Sequence, residues 1–254
     1  MKAIVLAAGY AVRLQPLTLH TSKSLLVIGK RKIIDRIIDK IASLKEDPDI
    51  YIISNARFFG DFKEWRRSSA YGDRVSLVND GTTTNETRLG AIRDLGLAIR
   101  EESIDDDLLV VAGDNLFDFE LAAFLEFARA NADGVSVALR DIGDIGMAKN
   151  FGVVKIDEHN RVVDFEEKPA EPKSTLISTG IYYFPKEKLP FIKEYVKMRD
   201  KLDAPGNYIC WLAGTDKVYG FTFLEDWYDI GNIESYKKAD AEYLKKERKR
   251  NGKA

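Results

Sequence analysis

The chain has 254 residues, 45% hydrophobic and 31% charged, with a formal net charge of -2; the length suits one large α/β domain, and the charge gives no electrostatic ground for a nucleic-acid or membrane partner. One cysteine, Cys210, excludes an intrachain disulfide and a cysteine metal cluster, and two histidines, His20 and His159, are too few for a His-rich zinc site. There is no basic-then-apolar leader and no run of 18 apolar residues, so a cytoplasmic protein is expected.

Short apolar runs alternate with helical patterns through the first half. The runs are AIVLA at 3–7, IYIISN at 50–55, VSLV at 75–78, LLVVAGD at 108–114 and GVSVALR at 134–140. They are rich in Val, Ile and Leu without polar alternation, which predicts strands covered on both faces, as in a parallel sheet. Between them Ile33, Ile34, Ile37, Ile38 and Ile41 recur at helical spacing, as do Leu121, Phe124, Leu125 and Ala128. The order β-α-β-α-β-α-β-α-β predicts an α/β fold with a Rossmann-like, doubly wound, mostly parallel sheet. Within RFFGDFKEWRR, Phe58, Phe59, Phe62 and Trp65 fit a helix packed on the sheet and equally a subunit contact.

After residue 150 the pieces shorten to GVVKID, RVVDFEEK, STGIYYF and VYGFTF, with DEHN at 157–160 as the turn between the first two. This predicts a small antiparallel appendage on the same core. PGNYICWL at 205–212 puts Tyr208 and Trp211 close together, in the core or at a subunit contact rather than stacked on a ligand. The last stretch, IESYKKADAEYLKKERKRNGKA, reads as a helix running into a basic tail, whose cations suit a helix end better than an RNA contact.

One segment carries chemistry. LAAGYAVRLQPLTLHTSKSLL, residues 6–26, follows the first strand directly. A strand, then Ala7-Ala8-Gly9, then a helix-bound segment is the arrangement in which backbone N–H groups point at an anion, because small side chains let the main chain approach. Arg13 offers a forked, permanent charge to phosphate oxygens and Lys23 a mobile point charge. A triphosphate satisfies all three features, and so does a plain tight turn with two solvated cations. The turn is neither G-x-G-x-x-G nor G-x-x-x-x-G-K-[ST], which disfavours a nicotinamide-type site and a P-loop.

Six motifs extend the pattern over nearly the whole chain: LAAGYAVRLQPLT with SKSLL, AGDN at 112–115, FGVV at 151–154, FEEKP at 165–169, STGIYYF at 178–184 and DWYDIGNIESY at 226–236. In this order they resemble the sugar nucleotidyltransferase family, the sugar-1-phosphate pyrophosphorylases related to glucose-1-phosphate thymidylyltransferase. The resemblance implies one domain over 1–254, with a nucleotide-binding core at 1–140, a sugar-binding part at 141–235 and a C-terminal helix and basic tail at 236–254. It implies that a sugar-1-phosphate oxygen attacks the α-phosphorus of a nucleoside triphosphate, giving NDP-sugar and pyrophosphate with Mg²⁺ as cofactor. The partners it implies are those two substrates, with neither nucleic acid nor membrane; a homo-oligomer stays an open expectation.

Residue by residue, it implies catalytic roles for Arg13, Lys23 and Asp114, and metal ligation by Asp114 and Asp229. Nucleotide contacts fall on Leu6, Ala8, Gly9, Asp80 and Gly90, and sugar-phosphate contacts on Gly152, Glu167, Lys168, Thr179 and Gly180. Without the resemblance, Asp114 reads as a turn or helix cap, Lys168 as part of a surface strand of alternating charge, and the two later glycines as strand irregularities. GDIGMAKNFGVV at 143–154 reads as a rim over the sugar site or a plain connecting loop.

The sequence departs from the family pattern at three places. Ala11-Val12 stands for the usual Gly-Thr before the arginine, and Ser22 for the proline before the lysine. The base-reading segment, NDGTTTNETRLGAI, offers Asn79, Asp80, Asn85 and Glu86, with Leu89-Gly90-Ala91 where relatives carry a Gln or His, and leaves the base open. Two other readings are a cytidylyltransferase acting on a non-sugar phosphate such as inositol or choline phosphate, and a non-catalytic regulatory homologue that binds nucleotide-sugars.

Overall fold

The computed structural model describes residues 1–198 and 204–251. β1 (Lys2–Leu6) leads through the long turn to a two-stranded hairpin, β2 (Val27–Ile28) and β3 (Arg31–Lys32), and then to α1 (Ile33–Ala42), β4 (Asp49–Ser54), α2 (Phe59–Ser68) and β5 (Val75–Asn79). There follow α3 (Ala91–Glu101), β6 (Leu108–Ala112), β7 (Asn115–Phe117), α4 (Leu121–Ala130), β8 (Val135–Asp141) and α5 (Ile145–Ala148). The chain continues through β9 (Gly152–Ile156), β10 (Val162–Glu167), β11 (Leu176–Phe184), α6 (Leu189–Met198), α7 (Pro205–Thr215), β12 (Val218–Phe223), β13 (Trp227–Asp229) and α8 (Ile233–Asn251).

Nine strands form one twisted sheet in the order β10-β9-β11-β6-β1-β4-β5, with β8 on β11 and β12 on β8. β5, β4, β1 and β6 run parallel, Ala3 pairing with Ile50 on one side and Leu109 on the other. β11 then joins β6 antiparallel and carries β8 and β9. The antiparallel part is thus continuous with the parallel part, because the nine-residue β11 is long enough to pair with three neighbours.

Alternation along β1 divides the interior. Ala3 and Val5 face one core with α1, α2, α4 and α8, while Ile4 faces a second core with α3, α6 and α7. Helices therefore cover both faces, and Leu108, Leu109, Val110 and Val111 of β6 are all buried, which explains their unbroken apolar run. Each such side chain contributes roughly 1.5–3 kcal/mol by leaving water. The five isoleucines of α1 are buried together on its inner face. Phe58, Phe62 and Trp65 are buried too, and Trp65 Nε1 donates to Asp35 Oδ1 of α1 at 2.8 Å, so this aromatic group belongs to a helix on the sheet.

Tyr208 lies in the core, 5.9 Å from the Trp211 ring centroid and 5.1 Å from that of Tyr195. The charges of α8 are used within the fold: Lys246 bridges Asp118 (2.6 Å) and Asp226 (2.7 Å), and Glu247 holds Arg36 at 2.6 Å. The last three residues of the expected basic tail, 252–254, lie outside the described residues. Among the described residues no helix is long and apolar enough to cross a membrane. The parallel strands β1, β4, β5 and β6 bring their carboxyl ends to one edge, where open α/β sheets bind ligands.

Candidate active site

The turn after β1 is fixed from both sides. Ala7 N donates to Ile53 O (2.9 Å), Gly113 N donates to Leu6 O (2.9 Å), and Asn55 Nδ2 donates to Ala8 O (2.8 Å). Ala7 and Ala8 are buried, whereas Gly9 is exposed and a Cβ on it would touch nothing in the protein. Ala11 takes a left-handed conformation, φ 47°, and starts a single 3-10 turn, Val12–Leu14, that buries Leu14 and leaves Arg13 outward. Thr18 Oγ1 pins the loop by donating to Ala11 O at 2.9 Å. A second 3-10 turn, Lys23–Leu25, is anchored by buried Ser24 and Leu25.

That second turn points Lys23 across to the end of β6, where its Nζ is 2.5 Å from Asp114 Oδ2. The approach requires Gly113, since a Cβ there would lie 2.6 Å from Ser24 Oγ and 2.8 Å from Leu6 O. Asp229 arrives on β13, which pairs antiparallel with β7 so that Asp229 stands opposite Asn115. Ile230 N donates to Asp114 O at 3.1 Å. Burial first, and then the negative charge of Asp114, raise the Asp229 carboxyl above its ordinary range; Lys23, Arg13 and Lys168 oppose the shift. Two carboxylates and three cations expected from separate motifs thus share one field. Gly231 sits between Asp229 and Arg13, a Cβ on it lying 2.8 Å from Asp229 Oδ2 and 3.8 Å from Arg13 Nη2.

The β9–β10 hairpin supplies the next wall. Glu167 pairs with Gly152, and a Cβ on Gly152 would lie 2.5 Å from Phe165 Cζ and 3.1 Å from Glu167 Oε2. Lys168 leaves β10 with φ 49°, its N donating to Phe151 O at 3.0 Å and its Nζ 3.6 Å from Glu167 Oε1. Burial raises the Glu167 carboxyl, with Lys168 opposing. Gly180, at φ 79°, lies where β11 shifts register against β8 between Ser178 and Tyr182. Thr179, expected to offer a hydroxyl to the sugar, is buried and donates it to Ala138 O at 2.9 Å. Its hydroxyl proton is thus committed within the fold, where it holds the irregular strand in place.

Asp80 lies beyond β5 at the same edge. Its Oδ1 accepts from Thr82 N (2.7 Å) and Thr82 Oγ1 (2.8 Å), and Thr82 Oγ1 is 3.0 Å from Tyr10 OH. Gly90, at φ 89°, opens α3. Sequence reasoning left out the residues that tie these parts together. Asn115 Nδ2 donates to Thr179 O (2.5 Å) while its Oδ1 accepts from Trp227 Nε1 (3.1 Å), joining the β11 irregularity to the strand that carries Asp229. Asn115 stands in the AGDN motif, and that placement was its only sequence signal.

Among the described residues no group of three or more His, Cys, Asp and Glu gathers around one point. Asp114 and Asp229 form a carboxylate pair at the end of β6. Burial, and then the charge of Asp114, raise Asp229, and a divalent cation between the two would relieve both, so the pair suits a hard ion completed by phosphate oxygens and water.

A family model described as nucleotidyl transferase matches residues 2–246. The bifunctional protein GlmU of Methanocaldococcus jannaschii is 30% identical over 234 residues, covering 91% of this chain and 51% of that protein. The glucose-1-phosphate adenylyltransferase of Geobacter metallireducens is 28% identical over 273 residues, covering 95% of this chain and 65% of that one. The chain therefore spans between half and two thirds of the length of these curated relatives. A crystal structure from Bacillus anthracis, described as a glucose-1-phosphate thymidylyltransferase in complex with a sucrose, has TM-score 0.81 at 27% identity over 96% of this chain and 95% of that chain. A UDP-glucose pyrophosphorylase complexed with UDP-glucose, 17% identical over 96% of this chain and 98% of that chain, has TM-score 0.80 and shares the fold. With motifs, sheet and convergent charges in agreement, the chain belongs to the nucleotidyl transferase family.

Proposed function

We propose that the chain couples a nucleoside triphosphate to a sugar-1-phosphate, releasing pyrophosphate and an NDP-sugar, with Mg²⁺ as cofactor. The observation that carries this reading is the convergence of Arg13, Lys23 and Lys168 on the Asp114–Asp229 pair. Such a displacement asks little covalent chemistry of the protein and depends on in-line positioning and charge neutralisation.

The open backbone at Gly9 receives the triphosphate, with Arg13 and Lys23 on its phosphate oxygens. Lys168 holds the phosphate of the sugar and Glu167 accepts hydrogen bonds from sugar hydroxyls, with Gly152 and Gly180 keeping the floor low. Asp114 and Asp229 would hold Mg²⁺, which would supply charge neutralisation at the reacting phosphate. Retention of all five charged groups weighs against a homologue that has lost turnover, and FEEKP with STGIYYF favours a sugar over another phosphorylated alcohol.

The test is pyrophosphate release across a panel of nucleoside triphosphates and sugar-1-phosphates with Mg²⁺. Release with at least one pair is expected. Silence throughout, with nucleotide-sugar binding intact, would leave the regulatory reading, and release only with inositol or choline phosphate would move the acceptor outside the sugars.

A further inference from the structure

α7 brings against Glu167 a residue that none of the six motifs contains. Gly206, the second residue of α7, is buried, and a Cβ on it would lie 1.8 Å from Glu167 Oε2, 2.8 Å from Glu167 Cδ and 3.0 Å from Phe165 Cε1. Gly152 of β9 adjoins the same two side chains, at 3.1 Å from Glu167 Oε2 and 2.5 Å from Phe165 Cζ by the same construction. Two glycines, one on a strand and one on a helix, thus border one carboxylate oxygen. The other, Oε1, lies 3.6 Å from Lys168 Nζ, and the Glu167 side chain is only 15% exposed.

Room, and not conformation, calls for glycine at 206. The position is helical and its φ is not positive, and within a helix alanine is the more favourable residue. A side chain here would have to displace something. The helix is poorly placed to withdraw, because Tyr208, Ile209 and Leu212 of α7 are buried in the core and Pro205 fixes its first turn. The Glu167 carboxylate is the far end of a flexible side chain, and it gives way first.

We infer that Gly206 is a positioning residue for Glu167: by carrying no side chain it lets α7 close on β10 and sets where the carboxylate stands, with Oε2 drawn to the helix and Oε1 left beside Lys168. A methyl group at 206 drives Oε2 away by more than an ångström, since Cβ atoms do not approach other atoms within 3.0 Å. The inference deepens the nucleotidyltransferase reading and rests on it only for the sugar hydroxyls that Glu167 meets; the packing of α7 on Glu167 does not depend on it.

Two experiments on the full chain test it. The first needs no substrate and compares crystal structures of the wild type and G206A. Glu167 Oε2 is expected to shift by more than an ångström with the α7 backbone in place, whereas a helix that withdraws from an unmoved carboxylate overturns the inference. The second compares wild type, G206A, E167A and the double variant. G206A should raise KM for the productive sugar phosphate about tenfold or more and leave the Kd of the triphosphate within about twofold. In the E167A background the same substitution should change that KM by less than about twofold, because the carboxylate it displaces is gone. Equal effects in the two backgrounds, or triphosphate binding lost in step, would mark general packing and overturn the inference. Should G206A fail to fold, recovery in G206A/E167A supports the inference and failure of both overturns it. A displaced Glu167 with an unchanged KM upholds the positioning and takes Glu167 off the sugar. Silence with every substrate pair removes the enzymatic reading, and the crystal structures then decide the inference alone.

Discussion

Lys23 Nζ and Asp114 Oδ2 stand 2.5 Å apart, each side chain mostly shielded from solvent. The cation expected on the triphosphate therefore neutralises, in the free chain, a carboxylate expected on the metal. Ligand binding would exchange partners without opening a new cavity: phosphate oxygens take the lysine as the cation takes the aspartate. K23A removes a preorganised charge and should cost about 3 kcal/mol in transition-state stabilisation, roughly a hundredfold in turnover. Pyrophosphate release under saturating substrates measures it, and an alanine variant within threefold of wild type would remove Lys23 from the machinery.

Ala11 occupies a left-handed conformation at φ 47°, where a Cβ costs roughly 1–2 kcal/mol and glycine pays no steric penalty. The family pattern carries glycine here, so this chain holds the turn after β1 under local strain. Part of the relief is lost to the greater freedom of glycine in the unfolded chain. A11G is expected to raise unfolding stability by about 0.5–1 kcal/mol, read as a higher denaturation midpoint with an unchanged slope. A lower midpoint would show that the Ala11 side chain contributes packing that outweighs the strain.

Ser22 departs from the family proline without departing from its backbone. Its φ of -66° and ψ of 145° are those proline adopts, and its buried Oγ has no partner. S22P should stabilise the chain by about 0.5–1 kcal/mol by restricting the unfolded state and should leave KM for the triphosphate unchanged, because Lys23 already starts its 3-10 turn in the same place. A destabilised S22P would mean that the ring does not fit the buried site.

The sequence made some of this site legible for definite reasons. Leu108 to Val111 read as a strand because both faces of β6 are buried, and the charged residues read as a set because each sits in one of the motifs that occur in family order. Direction and distance were less legible. Thr179 belongs to a motif, yet its hydroxyl turns to Ala138 O, which no string of letters announces. Asn115 and Trp227 meet only because two three-residue strands far apart in the chain pair with each other. α6 and α7 were not anticipated; α7 starts at Pro205 and α6 contains Pro190 in its first turn, so turn punctuation and helix starts look alike there. Asp94 looked like an ordinary polar residue on α3 until the fold set it against Asp80.

That last pairing also dictates how stability responds to pH. Burial and the charge of Asp80 raise Asp94 from 3.8 to about 8, so the folded chain keeps this proton across a range where the unfolded chain has released it. The folded state then binds more protons between about pH 4 and pH 8, and by linkage its stability falls as pH rises through that window. The contribution is full below the unfolded value and is lost as pH passes the folded one. Asn at this position mimics the protonated acid and cannot ionise. D94N should match wild type within about 0.5 kcal/mol at pH 5 and exceed it by roughly 1–3 kcal/mol at pH 9, measured by urea unfolding at both values. A difference between the two proteins that does not change with pH would mean that Asp94 is ionised in the folded chain.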